Sequence, residues 1–240
     1  MAVITSITVV SETVLALSWS HMQDEIVQQE SYTFGIDLTP ISPCMGATLP
    51  TISVSGSTFS TTVSNLSPGT TYSVVVSVSA QSGSCLKSQS DPVSAKTIER
   101  LPLPPTNTSA VAVSSSSIEF RWSPPACNSR NGDITSYVVR LTRLPNQLRA
   151  NPLVAVTDRN ITIYMDDPSN STTWLRLIVS TVLEASIQYQ MSVTATNSIG
   201  TSAPTAPIVL AALEAGTSPS MCCGTRTICD VCFSSFIARS

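Results

Sequence analysis

Apolar and polar residues alternate with a period of two along most of this chain. In TVLALSW, residues 13–19, Leu15, Leu17 and Trp19 share one face and Val14 stands apart from them. SYTFGIDL alternates Tyr32, Phe34, Ile36 and Leu38, and TYSVVVSVSA alternates Tyr72, Val74, Val76, Val78 and Ala80. Each segment predicts a strand with one buried face, because successive side chains of an extended chain point to opposite sides. Turn signals fall between them, at Pro40, Pro43, Pro68-Gly69 and Asp91-Pro92. Short strands at this spacing predict an all-β sandwich or barrel.

The pattern then repeats. SSIEFRW at 116–122 restates TVLALSW, with Ile118, Phe120 and Trp122 a constant 103 residues after Leu15, Leu17 and Trp19. Leu183 and Tyr189 restate Leu66 and Tyr72, with the same six-residue spacing but a shift of 117. The difference, 117 minus 103, puts 14 extra residues in the second unit, expected within 144–172. A period near 100 residues is too long for a solenoid repeat and predicts two tandem domains. The prolines of IERLPLPP, 98–105, cannot pair in a ladder and favour an extended spacer.

Composition agrees with this reading. A chain of 240 residues accommodates two domains of about 100–120 each. Only 11% of residues are charged, against a usual ~25%, and Ser and Thr fill the polar positions. A net charge of −3 offers no basic stripe for nucleic acid or anionic membrane. The most apolar segment, 206–213, is far shorter than the ~18 residues of a membrane span. No signal peptide is legible, since Met1 opens almost directly into a strand; the chain reads as part of a longer protein.

Catalytic machinery is sparse, and no enzyme and no cofactor are expected. His21 is the sole histidine, which excludes a site built on several imidazoles. Asp166 and Asp167 are adjacent, so in extended chain they point apart, and Pro168 makes the segment read as a solvated turn. No Gly-rich phosphate loop is present.

Both units resemble fibronectin type III domains. The resemblance rests on Trp19 and Trp122, on the Leu66/Tyr72 and Leu183/Tyr189 pairs, on NGDITSYVV at 131–139 and on VTATNSIGTSAP at 193–204. The first unit has EIVQQESY in place of the NGxIxxY motif, and the second has LEASIQY where a Pro-Gly turn belongs. The resemblance implies two consecutive seven-stranded immunoglobulin-like antiparallel β-sandwiches, at 1–98 and 106–213, a proline-rich linker at 99–105 and an irregular Cys-rich tail at 214–240. It also implies roles. Trp19 and Trp122 belong between the sheets, Leu66 and Leu183 plug the core, and the Tyr72 and Tyr189 hydroxyls reach back to upstream backbone in a tyrosine corner.

Candidate N-glycosylation sequons begin at Asn65, Asn107, Asn160 and Asn170, with Asn65 expected to be crowded by the corner. Seven cysteines leave an odd one. A Cys44–Cys85 bridge is a candidate that would close a loop of about 40 residues. Geometry opposes it: the two lie at opposite ends of neighbouring strands, about 30 Å apart. Cys222, Cys223, Cys229 and Cys232 lack the two spaced pairs of a zinc site, and the tail continues no strand or helix period.

The family resemblance implies a non-catalytic protein-binding module of a cell-surface adhesion or receptor ectodomain, extracellular as part of a larger protein. A structural spacer, an accessory module of a secreted enzyme, or an intracellular array are the alternatives. Protein ligands are expected at the B–C and F–G loops, 21–31, 81–90, 124–133 and 198–203. SRNGD at 129–133 is not an Arg-Gly-Asp triplet and reads as a turn feeding Ile134 and Tyr137 into the core.

Overall fold

The computed structural model describes residues 2–21, 32–80, 87–144, 158–164, 174–180, 183–185 and 187–214. They form two antiparallel β-sandwiches in sequence. In the first, β1 (Ala2–Ser11), β2 (Val14–His21) and β5 (Ser60–Val63) make a three-stranded sheet in the order β1-β2-β5. The facing sheet runs β4 (Ile52–Ser55), β3 (Tyr32–Ser42), β6 (Thr71–Ala80), β7 (Lys87–Gln89), with β8 (Val93–Lys96) also on β6. The second sandwich repeats the plan. Its smaller sheet is β13 (Leu175–Val179), β10 (Ser117–Ser123), β9 (Thr106–Ser114). Its larger sheet is β12 (Asp158–Tyr164), β11 (Ser136–Arg143), β14 (Gln188–Thr196), β15 (Ile208–Ala211).

The alternating positions fill the two cores. Leu15, Leu17 and Trp19 of β2 meet Phe34, Ile36 and Leu38 of β3 and Val74, Val76 and Val78 of β6, all buried. Trp19 packs edge-on against Phe34, ring centroids 5.4 Å apart. In the second core Ile118, Phe120 and Trp122 face Tyr137, Val139, Leu141, Met191 and Val193. Each such side chain stabilises its sandwich by about 1.5–3 kcal/mol on burial.

The abundance of Ser and Thr has a structural reason. β15 pairs with β14 only from Gln188 to Met191. Beyond that point Val193 N donates to Thr205 Oγ1 at 3.1 Å and Ala195 N to Ser202 Oγ at 3.0 Å. In the first sandwich Val76 N donates likewise to Ser90 Oγ at 3.0 Å. Buried hydroxyls thus take the place of missing ladder carbonyls, which satisfies amides that would otherwise be left unpaired.

Three details differ from expectation. β3 runs through Pro40, with a bulge before Ser42; β4 reaches only to Ile36, and beyond it Leu49 N and Gly46 N donate to Leu38 O and Pro40 O, so this edge uses the Pro40 carbonyl and needs no amide from it. Asn65 is exposed rather than crowded, in a left-handed conformation at φ 61°. Cys44 is not paired with Cys85: it is bonded to Cys127 of the second sandwich, with Cα atoms 5.8 Å apart. Cys44 stands two residues past the end of β3, at the end of the first sandwich that meets the second. Cys85, the segments 145–157 and 165–173 with Asp166, Asp167 and Asn170, and the tail from 215 lie outside the described residues.

Candidate functional site

The two sandwiches meet through a polar junction that holds the ion pairs of Lys96 with Glu99 and Asp133 and of Arg100 with Glu12. From the first come the end of β3, the Pro68-Gly69 turn and the end of β8. From the second come the loop before β11, the turn after β14 and the linker between the domains. A short 3-10 turn, Cys127–Ser129, carries the second half of the disulfide. Residues 130–133 then reverse direction, with Asn131 at φ 53° and Gly132 at φ 144°, and deliver the buried Ile134 and Tyr137 to the core.

Asp133 is held on both oxygens by the first sandwich. Ser42 Oγ donates to Oδ1 at 3.0 Å and Lys96 Nζ to Oδ2 at 3.0 Å. Lys96 also pairs with Glu99, whose carboxylate accepts from Ser198 Oγ. Arg100 pairs with Glu12 at 3.1 Å. Burial alone would lower the Lys96 pKa; hydrogen bonds and charge from Glu99 and Asp133 outweigh it and raise the value above the usual one. Lys96 is therefore charged at neutral pH and acts as a cross-tie, not as a base or nucleophile.

The linker is clamped along its backbone. Ile98 O accepts from Gly69 N at 3.0 Å on one side. On the other, Arg100 N donates to Asn131 O at 3.1 Å and Leu103 N to Ser129 O at 2.9 Å. Asn131 Nδ2 donates to Leu101 O at 2.8 Å, and Asn197 Nδ2 to Arg100 O at 2.6 Å. Asn197 Oδ1 accepts from Ile199 N and Gly200 N at 3.0 and 3.2 Å, so one buried side chain shapes the turn and grips the linker. Gly69 has φ 57°, and a Cβ there would lie 2.2 Å from Asn131 O: the two domains touch backbone to backbone.

The candidate recognition loops fare differently. Loops 124–133 and 198–203 of the second sandwich are engaged in the junction through Ser129, Asn131, Asp133 and Ser198. Of loops 21–31 and 81–90, residues 22–31 and 81–86 lie outside the described residues; the flanking His21 and Lys87 stand where β2 ends and β7 begins. His21 packs edge-on against Tyr32 and Phe34, centroids 5.6 and 6.1 Å away. Among the described residues no cluster of three His, Cys, Asp or Glu is arranged to hold a metal ion, and no helix is long and apolar enough to cross a membrane.

Trp19 and Trp122 are 3% and 0% exposed, and Leu66 and Leu183 are buried beneath the turns. Tyr72 Oη accepts from Ser67 N at 2.9 Å, and Tyr189 Oη from Glu184 N at 2.8 Å. The second corner closes without Pro-Gly: Ile187 N reaches Glu184 O, and Arg143 binds the Glu184 carboxylate at 2.8 and 2.9 Å. Asn107 is exposed on β9, and Asn160 lies within β12.

Sequence reasoning missed Gly69, Lys96, Cys127, Asp133 and Asn197 as junction residues. One signal was available: Cys127 stands alone in its domain, and tandem sandwiches of this connectivity oppose the end of one to the start of the next.

The fibronectin type III domain model matches residues 4–96 and 103–210. Among curated proteins, the chain is 39% identical over 83 residues to a protein sidekick homolog of Caenorhabditis briggsae, covering 35% of this chain and 3% of that one. It is 38% identical over 81 residues to a tyrosine-protein phosphatase Lar-like of Caenorhabditis elegans, covering 33% and 4%. The chain thus spans only a few per cent of these relatives' length. Among solved structures it is similar to the crystal structure of the chicken contactin (CNTN1) FN1-FN3 domains, with a TM-score of 0.59 at 19% identity, covering 88% of this chain and 65% of that one.

Proposed function

The chain belongs to the fibronectin type III family, and from that premise we propose that it is a non-catalytic, disulfide-braced tandem module of a cell-surface adhesion or receptor ectodomain. The Cys44–Cys127 bond across the junction carries this reading. Disulfides persist in oxidising compartments, so a structural one supports an extracellular setting independently of any relative. It also holds the angle between two domains that a linker alone would leave free, since relative motion is the default for small polar interfaces. A fixed angle matters for a module that presents binding surfaces at a set spacing. The Lar-like relative supports a receptor context, but its match covers 4% of that protein, so phosphatase chemistry is not carried to this chain.

Protein ligands would then be met by the first sandwich through loops 21–31 and 81–90. A second reading, a pure spacer, is favoured by one observation: loops 124–133 and 198–203 already bind the linker and the first domain. The test is non-reducing peptide mapping of the chain secreted behind an added leader. A linked Cys44–Cys127 peptide supports the ectodomain reading. Free thiols at both positions in correctly folded protein overturn it. Exchange of loops 21–31 and 81–90 without effect on the parent's interactions favours the spacer.

A further inference from the structure

The smaller sheet of the second sandwich carries exposed apolar side chains along its two edge strands, on either side of a charged pair on the middle strand. Val111 and Val113 of β9 are 55% and 40% exposed, Ile178 of β13 is 50% exposed, and Trp174, immediately before β13, is 57% exposed. The register aligns them. Glu119 of β10 stands opposite Val111 on one side and Ile178 on the other, and Arg121 stands opposite Ser109 and Arg176. Glu119 and Arg121 bind each other at 2.9 and 3.1 Å along the middle strand.

One row further on, the face ends in a different group. Ser123 is the next outward residue of β10, and Asn107 Nδ2 lies 3.4 Å from its Oγ. On the other side Trp122 pairs with Leu175, so Trp174 is the residue that follows Ser123's position across the ladder. Ser123 pairs with Thr106 across a bulge that sets Asn107 beside it, and Trp174 directly precedes the Trp122–Leu175 pair on the opposite side of β10, with neighbouring strands about 4.8 Å apart. Asn107 is exposed, sits at φ 51°, and opens the sequon Asn107-Thr108-Ser109.

We propose that Asn107 is N-glycosylated and that its first N-acetylglucosamine lies across Trp174, covering the end of this face. The proposal rests on the ectodomain reading above, because N-glycans are added only along the secretory route. Three observations converge on it. The attachment atom already points along the sheet toward β10 and not away from it. An indole that is more than half exposed is unusual in a chain whose other two tryptophans are buried. A pyranose ring presents an apolar C–H face that suits the electron-rich face of Trp, with polar edges left for Ser123 and water. Exposed apolar side chains of this kind otherwise invite association, and a sugar beside them solvates them.

The chain, secreted behind an added leader, is compared with Asn107→Gln and with Ser109→Ala, which removes the sequon but keeps Asn107. Glycopeptide mapping reads occupancy, and acrylamide quenching of tryptophan fluorescence reads Trp174, since Trp19 and Trp122 are shielded. The expected result is an occupied Asn107 and quenching about two-fold weaker than in either variant, a difference that disappears in Trp174→Phe. A bare Asn107, or an occupied one with unchanged quenching, overturns the proposal. The Cys44–Cys127 link is mapped in the same samples: if it is present while Asn107 is bare, only the glycan inference fails.

Discussion

Cys44 and Cys127 are 83 residues apart in sequence and 5.8 Å apart at their Cα atoms, and the bond between them joins two separately cored sandwiches. It stands beside Asp133, which takes hydrogen bonds from Ser42 and Lys96 of the first domain. Covalent and polar ties thus act on one junction. In chain-entropy terms, closing a loop of that length contributes at most about 4–5 kcal/mol against unfolding of the whole unit. Cys127→Ser is expected to lower the melting temperature while leaving both sandwiches folded. The partly exposed Asp133 pairs add only about 0–1 kcal/mol, so Asp133→Ala alone should be nearly silent. The double variant should broaden the interdomain angle distribution in small-angle scattering; an unchanged distribution would show that the linker clamp suffices by itself.

Gly69 reports the junction from the opposite side. Its φ of 57° disfavours a side chain, and a Cβ would meet Asn131 O at 2.2 Å and Gly132 N at 2.5 Å. Gly69→Ala should destabilise by roughly 2–4 kcal/mol, combining a left-handed backbone penalty with overpacking. Gly69→Asn tolerates the backbone but keeps the clash. If chemical denaturation shows Asn nearly as costly as Ala, contact between the domains dominates. If Asn is close to wild type, only the backbone term matters.

How much of this was legible beforehand follows from the range of each interaction. Two-residue periodicity is local, so Leu15-Leu17-Trp19 and Ile118-Phe120-Trp122 announce their strands and buried faces without any tertiary knowledge. The repeat spacing then announces two sandwiches. The junction has no period. Lys96 and Asp133 are separated by 37 residues, and Asn197 and Arg100 by 97; nothing in either neighbourhood marks the other. Distance along one sheet separates Cys44 from Cys85 on sequence alone, whereas the opposition of two domain ends that brings Cys44 to Cys127 leaves no local mark. The hydroxyl substitutions at Ser90, Ser202 and Thr205 were visible only as composition.

The two corner tyrosines differ in their turns but not in their hydrogen bonds, at 2.9 Å to Ser67 N and 2.8 Å to Glu184 N. Each hydroxyl should contribute about 1 kcal/mol, somewhat more where the amide is left without another partner. Tyr72→Phe and Tyr189→Phe are therefore expected to cost similar amounts in equilibrium unfolding. If Tyr189→Phe were markedly more costly, the hydroxyl would be substituting for the missing Pro-Gly turn rather than merely fastening it.

High pH should loosen the molecule at two distinct places. Lys96 has its pKa raised above 10.5: burial lowers it, but Glu99 and Asp133 together raise it more. A lysine with a raised folded value contributes stability that is full below its unfolded pKa and is lost as pH climbs through the folded one. Tyr137, 1% exposed against Trp122, has its phenol pushed from 10.0 to about 12 by burial, with Arg130 opposing. Its neutral form is favoured in the fold, so this contribution is also present below pH 10 and disappears as pH rises toward 12, with a size of about 2–3 kcal/mol. Denaturant midpoints should therefore fall above pH 10, and phenolate absorbance should include a late titration from Tyr137. Tyr137→Phe should remove the late titration and flatten the decline of the second sandwich. Lys96→Met should instead flatten only the part that reads the junction. A wild-type midpoint that stays constant to pH 12 would mean that neither group is coupled to folding in this way.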